Sequence, residues 1–331
     1  SRVMAVVKAN AYGHGLVPTA LCLADADAFG VARIDEALAL RGAGVRGRIV
    51  LLEGVFNAEQ LSEAARQSLD IVVHEAEQLE LLEAAPTGQR FVVWLKIDTG
   101  MNRLGFRPSA AQSALQRLDA LGERVLDLRL MTHFASADDR DSMQTRQQLS
   151  RFDVLTQGRH AARSLANSAA IFAQPESHAD WVRPGLALYG VSPFGDQVGS
   201  SLGLVPAMRL VSTVIAVREV PAGETVGYSG VWRAQRDSRM AIVAAGYGDG
   251  LPRALPNGTP VLIRGARGEL AGRVSMDMIA VDVTGIEGVR VGDAALLWGP
   301  ELPVEEIAAH AGTISYELLC SVSQRVPLTL V

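Results

Sequence analysis

Eight short apolar runs recur at intervals of roughly 25 residues through the first two hundred positions, at 3–7, 28–31, 48–52, 70–73, 91–97, 125–132, 162–165 and 186–189. Between them, segments such as 34–41, 58–67, 75–85, 110–121 and 143–156 carry apolar side chains at helical spacing. A strand followed by a helix or loop, eight times over, is the pattern of a (β/α)8 barrel, a TIM-like α/β fold. An open doubly wound sheet is the competing arrangement. It is weakened by the lack of a GxGxxG at any strand-to-helix turn.

The pattern changes near residue 200. From there on glycines are frequent and β-branched runs are short, at 208–220, 240–245, 260–263, 279–283 and 294–298, with helical spacing only near 304–311. Two domains are expected: a barrel over 1–200 and a mostly β domain over 201–331, with the break within 201–206. A chain of 331 residues is long enough for both. No apolar run reaches the ~18–20 residues of a membrane span. A net charge of −5 without a basic stripe argues against duplex nucleic acid and anionic membrane as partners. Two cysteines, Cys22 and Cys320, make neither a disulfide framework nor a CxxC pair. A strand-like run opens the chain almost at once, with no initiator methionine or leader in view.

Of the 31 lysines and arginines only Lys8 and Lys96 are lysine, leaving 31 − 2 = 29 arginines. Arginine neither forms a Schiff base nor acts as a general base, and lysine does both. In a (β/α)8 barrel the working residues follow the C-terminal ends of the strands. Both lysines fall there, together with Arg33, Glu53, His74, Asp98, Arg103, His133, Asn167, Ser168, Arg183 and Tyr189. This mouth is cationic and holds no cluster of three His, Asp or Glu at close metal spacing, so no metal is expected. Lys8 ends an apolar strand, where desolvation favours the free, nucleophilic amine. Lys96 lies within a strand, where pairing with Asp98 explains it more readily than chemistry does. A positive mouth calls for an anion. Ser168 at a helix start, the Pro184-Gly185 backbone and the Tyr12 hydroxyl suit a phosphate, although Ser168 reads equally as an N-cap and Gly185 as a turn. An aldehyde adduct on lysine beside a phosphate site is what pyridoxal 5'-phosphate requires.

The motifs AVVKANAYGHG, KIDTGMNRLGF, THFASADD, RPGLALYG, VGYSG, GYGDG and GRVSMDM occur in that order over essentially the whole chain. Together they closely resemble the alanine racemase family. The resemblance implies a pyridoxal-phosphate barrel followed by a C-terminal β domain. It also implies a cytoplasmic homodimer with active sites shared between subunits, supplying D-alanine for peptidoglycan or serving alanine catabolism. Family members usually carry a further strand and helix ahead of the position of Ser1.

On this resemblance Lys8 holds the cofactor and then acts as the base on the D-alanine side. Tyr228, from the other subunit, is the base on the L-alanine side. His133 and Arg183 correspond to residues linked to that tyrosine by hydrogen bonds. Arg183 also corresponds to the arginine facing the pyridine nitrogen. Because arginine stays charged and keeps its protons, the ring nitrogen remains largely unprotonated, which favours racemisation over transamination. Arg103 and the backbone N–H of Met276 correspond to the groups that hold the substrate carboxylate. Tyr247 corresponds to a tyrosine narrowing the entrance. Tyr12, Asn167, Ser168, Gly185 and Leu186 belong with the cofactor cradle. Lys96 matches a lysine carbamylated in several members, where the added carboxylate orients the arginine.

Two positions depart from the family pattern. Gln324 stands where some members have a tyrosine touching the phosphate, and Ser275 where some have cysteine. The rival readings are a broad-specificity racemase, a basic-amino-acid decarboxylase, a non-catalytic cofactor-binding protein, and a metal hydrolase using His74, His133 and Asp98. The pairing of Tyr228 with Arg183 argues against the decarboxylase, and the hydrolase leaves Lys8 without a role.

Overall fold

The computed structural model describes every residue from Ser1 to Val331, and the chain divides into two compact units, Ser1–Leu188 and Tyr189–Val331. In the first, eight strands run parallel: β1 (Arg2–Val6), β2 (Ala28–Val31), β3 (Arg48–Leu51), β4 (Asp70–Val73), β5 (Phe91–Lys96), β6 (Val125–Met131), β7 (Ala162–Asn167) and β8 (Trp181–Arg183). They close in sequence order, β8 pairing back onto β1, to give the expected (β/α)8 barrel. β2 and β4 are buried along their whole length, as strands enclosed on both faces must be.

Strand alternation decides what faces inward. Met4, Ala28, Val50, Val72, Trp94, Met131 and Trp181 form one buried cluster. Trp94 and Trp181 meet edge to face, with ring centroids 5.5 Å apart. Toward the strand N-termini, Arg129 lies 5.0 Å from both indole centroids. There Trp94 Nε1 donates to Asp70, which pairs with Arg48. The lower barrel is therefore plugged. Two residues further along the same strands come His74, Lys96, His133 and Arg183, so the alternation that fills the core also sets polar groups at the mouth.

The helices are α1 (Lys8–Tyr12), α2 (Leu16–Cys22), α3 (Ile34–Gly42), α4 (Ala58–Arg66), α5 (Ala76–Glu83), α6 (Pro108–Ala120), α7 (Met143–Thr156) and α8 (Ser168–Ala173). The five expected from spacing are present, while α1, α2 and α8 are additional. One strand is corrected. The eighth is Trp181–Arg183, and Leu186–Tyr189 is a 3-10 turn. Trp181 finds partners on both β1 and β7, whereas Pro184 has no N–H to carry the ladder onward.

The second unit closes six antiparallel strands in the order β12-β15-β14-β13-β16-β9. These are β9 (Leu210–Val220), β12 (Ser238–Val243), β13 (Pro260–Ile263), β14 (Ala266–Leu270), β15 (Ile279–Asp282) and β16 (Ala294–Trp298). A two-stranded ribbon, β10 (Thr225–Val226) with β11 (Trp232–Arg233), carries Tyr228 at its turn. Two helices follow, α9 (Val304–Ala311) and α10 (Ser315–Ser321). The mostly β character is as expected, although β14, the ribbon and α10 escaped the sequence pattern. Residues 189–200 also belong to this unit. Glu305 Oε1, on α9, accepts the N–H groups of Ser192 and Gly199, each at 2.9 Å. Glu305 thereby ties that segment to the second unit ahead of the compositional break at 200. No helix is long and apolar enough to cross a membrane.

Candidate active site

Lys8 follows β1 at the barrel mouth and opens a turn that no helix propensity explains. Ala9, Asn10, Ala11 and Tyr12 have φ of 54°, 54°, 53° and 52°. Four consecutive non-glycine residues are thus left-handed, at a cost of about 1–2 kcal/mol each. Contacts from outside hold them there. Glu36 Oε1 accepts the Ala9 N–H at 2.7 Å, Asn10 Oδ1 accepts the Leu16 N–H at 2.9 Å, and His14 Nδ1 lies 3.0 Å from the carbonyls of Ala11 and Tyr12. The turn brings Tyr12 against Gly185 so closely that a Cβ there would sit 2.5 Å from the Tyr12 hydroxyl.

The other expected barrel residues gather at the same mouth. Arg183 is buried, donating to Ser164 Oγ and to the Thr132 carbonyl at 2.6 Å each and to Leu165 O at 3.2 Å, and it lies 3.4 Å from His133 Nδ1. Ser168 Oγ accepts the N–H groups of Gly185 (2.8 Å) and Ala187 (3.3 Å), leaving its own O–H to donate. Asn167 Oδ1 caps α8 through the Ala170 N–H, and Leu186 is buried. Arg103 is exposed on the loop after β5. That loop is shaped by Asp98 Oδ1, which accepts the N–H groups of Gly100, Met101 and Asn102.

The electrostatics of this mouth are lopsided. Burial, then the charges of Arg183, Arg103 and Lys8, pulls the Lys96 amine down to about 8 against the partial support of Asp98. Burial and the same cations, with Lys96, hold His133 well below the ordinary histidine value, so it is neutral. Burial brings Arg183 to about 10, still charged at neutral pH. Cations crowded with so little countercharge call for an anionic ligand. His74 and Asp98, by contrast, are engaged by the protein itself. His74 Nε2 lies 3.0 Å from the Glu53 carbonyl.

Several groups that shape the site went unread in the sequence. Ser164 and Thr132 orient Arg183. Gln148, fully buried on α7, donates to the His133 carbonyl at 2.9 Å and to Thr99 Oγ1 at 3.3 Å. Ser164 shares the inward parity of β7, which is its one sequence signal. A backbone carbonyl such as that of Thr132 leaves none.

In the second unit Tyr228, Tyr247 and Met276 are all exposed. Tyr247 and Met276 lie on adjoining loops, joined by Tyr247 N–H to Ser275 O (3.0 Å) and Gly248 N–H to Met276 O (2.9 Å). Arg325 braces both loops, donating to Asp249 at 2.8 and 3.0 Å and to Asp277 at 2.8 Å. Ser275 Oγ donates to the Met278 carbonyl at 2.5 Å.

Residues 1–193 match the N-terminal domain of alanine racemase and residues 207–330 its C-terminal domain. The chain belongs to the alanine racemase family. An alanine racemase of Shewanella baltica is 52% identical over 330 residues, covering all of this chain and 92% of the relative. One of Photobacterium profundum is 51% identical over 331 residues, covering 99% and 92%. The crystal structure of the biosynthetic alanine racemase of Pseudomonas aeruginosa superposes with a TM-score of 0.95 at 48% identity, covering 98% of this chain and 91% of that one. That of Bartonella henselae, with covalently bound pyridoxal phosphate, superposes at 0.88 and 31% identity, covering 98% and 91%.

Alanine racemases are isomerases that depend on pyridoxal phosphate. The residues at this mouth fit that group. Its phosphate and phenolic oxygen are anionic where the protein is cationic, and the close approach of Tyr12 to Gly185 forms a cradle that a Cβ would fill.

Proposed function

We propose that this chain interconverts L- and D-alanine with Lys8 and Tyr228 as the two proton-transferring groups, one on each face of the substrate. The observation that carries the reading is Lys8 at the end of β1, amid Lys96, Arg103 and Arg183 and beside the Tyr12-Gly185 cradle. When bound, pyridoxal phosphate supplies an aldehyde for the Lys8 amine and a conjugated ring that takes up the electron pair left at Cα. Tyr12, Ser168, Gly185 and Leu186 would hold its phosphate, and Asn167 and His133 would help to bind the cofactor. Arg183, fixed by Ser164 and Thr132, would serve the pyridine nitrogen as a hydrogen-bond donor that keeps its protons.

Arg103 and the Met276 backbone N–H hold the substrate carboxylate, Tyr247 narrows the entrance, and Lys8 and Tyr228 move the Cα proton. Lys96, with its amine near 8, keeps a fraction neutral at physiological pH. A neutral amine is the form that carbon dioxide carbamylates, and the resulting carboxylate would orient Arg103. The barrel domain binds the cofactor. The β domain delivers Tyr228, Tyr247 and Met276 to the partner's barrel in a cytoplasmic homodimer. The charge balance supports neither nucleic acid nor membrane as a partner.

Borohydride reduction of the yellow holoenzyme, followed by peptide mapping, should place the cofactor on Lys8. Solvent-deuterium exchange across a panel of amino acids should show Cα exchange confined to alanine. A label on another residue sinks the mechanism, and exchange across many amino acids makes this a broad racemase.

A further inference from the structure

Glu36 is the third residue of α3, a position where a carboxylate ordinarily caps its own helix. Here only one oxygen does so: Oε2 accepts the N–H groups of Ala32 (2.8 Å) and Arg33 (3.3 Å). The other, Oε1, crosses to the neighbouring loop and takes the Ala9 N–H at 2.7 Å. Ala9 is the first left-handed residue after Lys8. His14 secures the far end of that turn through the carbonyls of Ala11 and Tyr12, 3.0 Å from its Nδ1. The near end, where the lysine departs, is fastened by Glu36.

We propose that Glu36 is a positioning residue for Lys8. Its carboxylate clasps the left-handed turn onto α3 and so sets the direction in which the amine leaves β1. The proposal rests on Lys8 being the base on the D-alanine side. Both carboxylate oxygens are occupied by donors. An amide keeps one accepting oxygen and can leave the Ala9 bond in place, whereas Glu36→Ala removes both acceptors.

The test compares Glu36→Ala with Asn57→Ala. Asn57 caps α4 by accepting the Gln60 N–H, so its loss weakens a helix cap without touching the turn. In the apoprotein, amide hydrogen exchange of the peptide containing Ala9 should quicken at least tenfold in Glu36→Ala and stay unchanged in Asn57→Ala. In the holoenzyme, Cα-proton exchange from D-alanine should fall about tenfold to a hundredfold in Glu36→Ala, and more than exchange from L-alanine. Unchanged amide exchange at Ala9 overturns the clasp. Faster amide exchange with equal losses from both enantiomers overturns the positioning role. Borohydride labelling of wild-type protein, run alongside, separates these results from failure of the underlying reading. A label away from Lys8 overturns that reading, and the proposal with it, whatever the Ala9 amide does.

Discussion

The two groups proposed to move the Cα proton differ in how they are held. Lys8 immediately precedes a strained turn inside the first unit, while Tyr228 stands exposed on the β10–β11 ribbon of the second. Tyr228→Phe should lower turnover by 10²–10⁴-fold, the usual range for a general acid or base. Proton NMR in heavy water should show exchange from L-alanine suppressed more than exchange from D-alanine, and equal suppression would refute the division of labour. Gly185 is tested differently. A Cβ there meets the Tyr12 hydroxyl at 2.5 Å and its ring carbon at 3.2 Å. Gly185→Ala should push the ring aside and weaken cofactor binding about tenfold, or roughly 1.4 kcal/mol, in an absorbance titration. At this scale the sequence was informative where chemistry is rare. Two lysines among 31 basic residues stood out before any fold was known. Ser164, Gln148 and Glu36 did not, because serine, glutamine and glutamate on strands and helices have many commoner uses.

Among the elements, the long amphipathic helices announced themselves through spacing, and the short ones did not. α2 and α8 span only seven and six residues, too few for a 3.6-residue period to repeat convincingly. The eighth strand was displaced for a similar reason: three residues, Trp181–Arg183, present no alternation to read, while the apolar run beyond Pro184 imitates a strand. The left-handed turn was the least legible element. Its sequence, Ala-Asn-Ala-Tyr, contains no glycine, and only surrounding contacts make that backbone tolerable. Ala9→Gly should therefore relieve strain and raise stability by up to about 1 kcal/mol, the left-handed penalty being partly offset by glycine's greater chain entropy. A higher urea midpoint is expected, and a midpoint clearly below wild type would show that the turn is not strained at Ala9.

The whole molecule carries a pH signature of its cationic mouth. Lys96 titrates near 8 in the folded protein against 10.5 in the unfolded chain. The unfolded chain therefore binds more protons between those values, and stability rises with pH across that window. Below pH 8 the buried cation costs about 3 kcal/mol. His133 acts in the same sense lower down. Its folded value lies well below 6.5, so acidification past 6.5 weakens the fold. The urea midpoint of the apoprotein should climb from pH 8 to 10, and loading pyridoxal phosphate should raise the midpoint and flatten that climb. An apoprotein indifferent to pH there would mean that Lys96 is not desolvated.

The order of strands, the barrel class, the β character of the second half and the placement of lysines after strands were all present in the sequence. Each follows from local periodicity or from residue identity along the chain. Tertiary structure alone decided that Leu186–Tyr189 is a turn, that residues 189–200 join the second unit through Glu305, and that a left-handed backbone follows Lys8. It likewise decided that Lys96 and Arg183 are desolvated within that cationic mouth. Those outcomes depend on contacts between positions far apart in the chain. Glu36 lies 27 residues from Ala9, and Ser164 lies 19 from Arg183. No local pattern encodes which of the many available partners closure of the barrel will bring within reach.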